Sequence, residues 1–137
     1  MKCYVFDACA LVAFFNDEAG ADVVERLLFE ASQGHCAISM NKYNLLEVYY
    51  GYLRANGEDF AGNILNIVEN SCIVICDVLT NALFTKAAKF KISYKMSLAD
   101  SMALAQASVE QASLVTTDHH ELDAIDKDGK LDFYWIR

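Results

Sequence analysis

The sequence predicts an α/β protein in which a mainly parallel sheet carries helices on both faces. Three observations lead there. Short apolar runs with β-branched and aromatic residues recur along the chain, as in strands covered on both sides. Longer stretches with apolar residues at helical spacing separate them. No repeat, low-complexity stretch or linker interrupts the 137 residues, and Pro is absent, so a single domain over 1–137 is expected.

The first run, Cys3 to Phe6, predicts a strand, and the apolar segment Ala8 to Phe15 follows Asp7 as a helical turn. Asn16, Asp17, Glu18 and Gly20 suit a helix start, where acids meet the positive end of the macrodipole. Val23, Val24, Leu27, Leu28 and Ala31 then mark an amphipathic helix ending near Gly34. His35 to Ser39 reads as a second strand. Asn41 or Asn44 opens the next helix, which runs to about Ala55 and stops at Gly57; Asn44 with Glu47 has capping-box spacing. Phe60, Ile64, Ile67 and Val68 mark a further helix, and Ser71 to Val78 is the most strand-like run in the chain. Leu83, Ala87, Ala88 and Phe90 suggest a helix to about Lys91. Ser97 stands three residues before Asp100, the spacing of a cap for the Ala-rich helix that reaches about Gln111. Ser113 to Thr116 is the fourth strand, Asp126 to Lys130 a turn, and Leu131 to Ile136 the last strand.

Composition narrows the function. Hydrophobic residues make up 55% of the chain, too many for a disordered tail, yet no run is long enough to cross a bilayer and none has a signal peptide's arrangement. A cytoplasmic protein is expected. Five Cys, an odd number without C-x-x-C spacing, fit reduced core thiols better than disulfides or a zinc site. A net charge of −8 argues against loose, general nucleic-acid binding, which draws on Lys and Arg; contact with nucleic acid requires a local patch or bound cations.

Four acids stand out. Asp7 follows a buried strand and precedes more apolar sequence, with no Lys or Arg in the next dozen residues. Burying that charge costs several kcal/mol unless a metal or a distant residue pairs with it; the alternative is that Asp7 only caps the segment behind it. Asp118 follows the fourth strand. Glu47 lies early in the helix after the second strand, and Asp100 in the first turn of the helix feeding the fourth. Strand ends and first helical turns share the carboxyl edge of a parallel sheet, where these folds bind ligands. Which helix of each pair between strands reaches that edge stays open. Glu47 shares a helical face with Tyr43, Tyr50 and Gly51, and Asp100 with Ala103, Leu104 and Ala107, so neither reads as a solvated acid. Carboxylates about 5 Å apart repel by roughly 3 kcal/mol at an effective dielectric of 20. A hard divalent ion relieves that, and oxygen-only ligands select Mg²⁺ or Mn²⁺. Such an ion activates water and stabilises charge on an attacked phosphate, the chemistry of phosphodiester hydrolysis.

In order and spacing, VFDACAL at the start, NLLEVYYGYL around Glu47, SLADSMALAQA around Asp100 and LVTTDHHELD around Asp118 resemble the PIN-domain nucleases. The resemblance is strongest to the VapC toxin ribonucleases and covers essentially the whole chain. It implies a three-layer α/β/α sandwich and Mg²⁺- or Mn²⁺-dependent cleavage of RNA leaving a 5′-phosphate. It also implies a homodimer and, for the toxin branch, a small cognate antitoxin that inserts a segment into the active site. It assigns Asp7, Glu47, Asp100 and Asp118 as the acidic quartet, with Asp7, Asp100 and Asp118 as direct or water-mediated metal ligands and Glu47 positioning or activating water. Thr116 matches a supporting hydroxyl. Two departures stand out: Cys9 replaces a Ser or Thr found in many relatives, and His120 stands where some carry a further acid, which bears on a second metal.

Other residues admit a plainer reading. Lys95 is a candidate for a substrate phosphate, but a solvated helix face is the simpler account of Lys86, Lys89, Lys91 and Lys95. Tyr43, Tyr49, Tyr50 and Tyr52 suit base stacking or an apolar core or interface. His119 and His120 suit either carboxylate or phosphate contacts or an ordinary loop. Asp123, Asp126, Asp128 and Asp132 read as an exposed acidic end. Against the nuclease stand two rivals. One is a catalytically idle RNA- or protein-binding module of the same fold; the other is a phospho-receiver domain, which wants adjacent acids after the first strand, where Ala8 stands beside Asp7.

Overall fold

A computed structural model describes residues 1–137. Five parallel strands form one sheet: β1 (Lys2–Phe6), β2 (Cys36–Asn41), β3 (Ile73–Cys76), β4 (Ser113–Thr116) and β5 (Phe133–Trp135), in the spatial order β3-β2-β1-β4-β5. Because parallel strands require crossovers, helices fill every connection. α1 (Ala8–Phe15) and α2 (Ala21–Ser32) join β1 to β2, and α3 (Lys42–Asn56) and α4 (Glu58–Glu69) join β2 to β3. α5 (Asn81–Ser93) and α6 (Leu98–Glu110) lead to β4, and α7 (His119–Lys127) to β5.

The chain moves outward from β1 through β2 to β3, then returns to the other side of β1. Right-handed crossovers therefore place the first four helices on one face and the last three on the other. The core divides accordingly. Phe6, Ile38, Met40 and Val115 pack with α1 to α4, while Val5 and Leu114 pack with α5 to α7. Val5 and Phe6 are neighbours in sequence and both fully buried, on opposite faces, which is the three-layer α/β/α arrangement.

Sequence and structure part company in two places. α7 covers residues for which the sequence suggests only a loop and a turn. Its signal is the D-x-x-E spacing of Asp118 and Glu121: Asp118 caps the helix by accepting from the Glu121 amide at 3.2 Å. Second, the most strand-like run yields the short β3, at the sheet edge, with Val74 66% exposed. Apolar composition identified a strand there but not its place in the order. Of the two helix starts that the sequence offers, Asn41 is the one that caps α3, accepting from the Tyr43 amide at 2.9 Å.

The start of α2 depends on Gly20. Its φ is +98°, and a β-carbon there would lie 2.8 Å from the Ile136 carbonyl oxygen. Only glycine accommodates both the left-handed backbone and the chain end passing over it.

Candidate active site

With strands running out in opposite directions from β1, the switch point of the sheet lies between β1 and β4. Parallel α/β sheets bind ligands in the crevice outside the strand ends at such a point. Asp7 leaves the end of β1 there, and Thr116, Thr117 and Asp118 leave β4. α1, α3 and α6 contact one another pairwise through α3, and α1 also touches β4. The initial turns of α3 and α6 therefore belong to the same rim as the strand ends.

Asp7 is 2% exposed. It does cap α1, through the Ala10 amide at 3.0 Å, but one cap bond does not offset its burial. Loss of water pushes its carboxyl up to about 7; the Thr116 hydroxyl and the Ala10 amide oppose the shift, and the charges of Asp100 and Asp118 add to it. Asp100 is pushed up by burial first and then by Asp118 and Glu121, while Ser97 opposes. Ser97 also caps α6, accepting from the Asp100 amide at 3.1 Å. Half-buried Glu47 is raised by burial and by Asp100 and Asp118, with Asn44 opposing. The four acids thus lie close enough for Asp100 and Asp118 to act on both other members.

Thr116, fully buried, connects two of them. Its hydroxyl interacts with the Asp7 carboxylate and accepts from the Asp118 amide at 3.1 Å. Cys9 lies against the same group: burial and the neighbouring Asp7 charge push its thiol up to about 12.

Two residues of the rim escape the sequence reading. Glu121 places a further acid by Asp100, one position from His120, and stays hidden in the sequence because the mostly polar α7 shows no helical period. Asn44 is fully buried; its amide donates to the Ala99 carbonyl at 3.1 Å, tying α3 to the start of α6, and its side-chain oxygen has no protein partner. Capping-box spacing directed attention to Asn44 as a helix start, not as a cross-link.

Other candidates lie elsewhere. Lys95 is exposed in the connection before α6, with no ion pair. His119 turns to Asp123 and the Arg137 carbonyl, each at 2.8 Å, and stacks on Trp135. The acids near the end of the chain are tied rather than merely solvated: Asp126 accepts from Trp135, Asp128 from Tyr94, and Asp132 from Ser113. Tyr52 is a core residue bonded to Asn16, whereas Tyr50 and Glu47 line a trough of about 320 Å³ that also includes Cys9, Thr117 and Arg137. All five Cys are free, and only Cys36 is buried.

No three His, Cys, Asp or Glu side chains form a ready-made metal cage. The donor set nevertheless fits a hard cation: carboxylates only, at the ends of rigid elements, burdened by one another's charge. Mg²⁺ keeps several waters and needs only one or two direct carboxylates, so a closed protein cage is not what it requires.

The PIN domain family model matches residues 4–128. The chain belongs to the PIN-domain family. Solved structures agree with this PIN fold. VapBC2 of Rickettsia felis, bound to a DNA fragment from its promoter, is similar with a TM-score of 0.74 at 16% identity, over 97% of this chain and 98% of that one. The DNA-bound VapBC of Salmonella typhimurium gives a TM-score of 0.73 at 12% identity over 100% of both chains. VapC20 of Mycobacterium tuberculosis, a toxin that cleaves the sarcin-ricin loop, gives 0.67 at 16% identity over 88% of this chain and 94% of that one. A search of curated proteins gives no match.

Proposed function

We propose that this PIN domain is a divalent-metal-dependent endoribonuclease and the toxin of a toxin–antitoxin pair. The observation that carries the reading is the set of acids from β1, α3, α6 and the β4–α7 junction that share one sheet edge and burden one another's charge. Asp7, Asp100 and Asp118 would hold the ion, directly or through its waters. When bound, Mg²⁺ or Mn²⁺ supplies positive charge at the scissile phosphate and makes water more acidic.

The chain's own residues do the rest. Glu47, less buried than Asp7 and raised in pKa, takes the proton from the attacking water. Water attacks phosphorus, the bond to the 3′-oxygen breaks, and that oxygen leaves as a hydroxyl after gaining a proton, giving a 5′-phosphate. Thr116 keeps Asp7 and Asp118 in register, and Ser97 fixes the start of α6 beneath Asp100. Asn44 holds the Glu47 and Asp100 helices together.

Two of these similar structures, from Rickettsia felis and Salmonella typhimurium, are of VapBC, which supports an antitoxin partner here. Homodimerisation is supported by an apolar groove of about 330 Å³ beside β3, lined by Tyr43, Leu46, Val78, Leu79 and Met102, several of them exposed. The groove holds none of the four site acids but borders them, since Leu46 precedes Glu47 on α3 and Met102 follows Asp100 on α6. No helix is long and apolar enough to cross a membrane.

The test is cleavage of end-labelled single-stranded RNA with Mn²⁺ by wild type and Asp118→Asn. Wild type should cut and the variant should lose at least 100-fold in rate, with unchanged circular dichroism. Equal cleavage by both, at matched purity, removes Asp118 from the mechanism, and no cleavage by wild type favours an idle binding module.

A further inference from the structure

We propose that the cleft between α5, α6 and the α7–β5 connection is a second, non-catalytic site that holds phosphates of an RNA strand. This rests on the ribonuclease reading above. In a chain of net charge −8, residues 78–99 contain four Lys and neither Asp nor Glu. By sequence alone a solvated helix face accounts for those lysines. The fold changes the account, because other elements supply matching groups.

Lys86, Lys89 and Ser93 of α5 line a cleft of about 290 Å³ together with Tyr94, with Ser108 of α6 and with Lys130 from beyond α7. The ion pairs of the chain use Lys2, Arg26, His119 and Arg137; none uses Lys86, Lys89 or Lys130. Three cations separated by up to 44 positions in sequence thus face one cleft without a carboxylate partner. The nearby acid, Asp128, forms no ion pair with these lysines; it accepts from the Tyr94 hydroxyl at 2.5 Å, and the Lys130 ammonium lies 5.4 Å from the centre of the Tyr94 ring. Lys91 is not part of the cleft; its ammonium donates to the Met96 carbonyl at 2.7 Å.

The arrangement suits a polymer better than a free phosphate. Small anions are held by a few convergent, buried donors. Here Lys86 and Lys89 are exposed and stand three apart along one helix face, giving a row of separate contacts that a backbone of repeating phosphates can use together. Position agrees. Ser108 lies two helical turns beyond Asp100, about 12 Å along α6. A strand seated in the cleft has that axial distance to span to the acidic edge, and the cleft would retain RNA that the net charge otherwise repels.

The experiment measures binding of a fluorescein-labelled single-stranded RNA to the full chain in EDTA, by anisotropy across a salt series. Lys86→Gln/Lys89→Gln is compared with a charge-matched control, Lys2→Gln/Arg54→Gln. The pocket double should lose about tenfold in affinity at low salt, with the slope of log affinity against log salt shallower by about 1.4, as expected for two single-strand phosphate contacts. The control should stay within about twofold of wild type. In a separate cleavage assay with Mn²⁺, the pocket double should raise KM with kcat unchanged. Equal RNA binding by the two doubles overturns the proposal, as does selective loss of poly-glutamate binding with RNA binding intact. Such failures leave wild-type cleavage in place, whereas a wild type that binds RNA but never cuts it contradicts the nuclease reading alone.

Discussion

Asp7 shows how a single residue carries two requirements. Its carboxylate caps α1, yet burial pushes its pKa from 3.8 to about 7. The folded value lies above the unfolded one, so without metal the ionised group opposes folding. The penalty is absent below about pH 4, grows as pH rises towards 7, and is complete above it. Asp7→Asn should therefore raise the melting temperature of metal-free protein at pH 8 and change it little at pH 4, read by calorimetry in EDTA. An advantage that grows towards acid pH would contradict the assignment. Residues of this kind are legible in sequence, because an acid set in apolar sequence must find a partner. Asn44 and Glu121 were less legible for a physical reason: what they touch depends on how α3, α6 and α7 pack, which local pattern does not encode.

At the scale of elements, the short strands and most helices announce themselves by composition and period. The apolar pairs Val5–Phe6 of β1 and Leu114–Val115 of β4 are buried on both faces of the sheet. α7 does not announce itself, because its nine residues carry mostly polar side chains and only Leu122 and Ile125 are buried, too few to establish a period. Edge position was equally hidden: Ser71 to Val78 is as apolar as a central strand, but β3 pairs on one side only. The entry into α2 is fixed by sterics rather than by apolar pattern. Gly20→Ala places a β-carbon against the Ile136 carbonyl and strains a left-handed backbone, and should cost roughly 2 kcal/mol. Urea denaturation at pH 7 checks it; a loss under about 0.5 kcal/mol would mean that the chain end moves aside freely.

The whole molecule places its chemistry by topology. Strands added to both sides of β1 create one switch point, and the acids gather at its rim though they are spread from residue 7 to residue 121. The alternation of strands and helices foretold the parallel sheet, but only the strand order shows why Asp7 and Asp118 come from adjacent strands. The central claim is that this rim exists to hold a divalent cation. Its most direct test is the melting temperature of wild type and of Asp7→Asn/Asp100→Asn at pH 7.5, with and without millimolar Mn²⁺. Binding to the folded state alone should raise the wild-type value, by about 2.7 kcal/mol of stability at one hundred times the dissociation constant, and leave the double variant unmoved. An equal rise in both proteins would place the metal elsewhere and contradict the account.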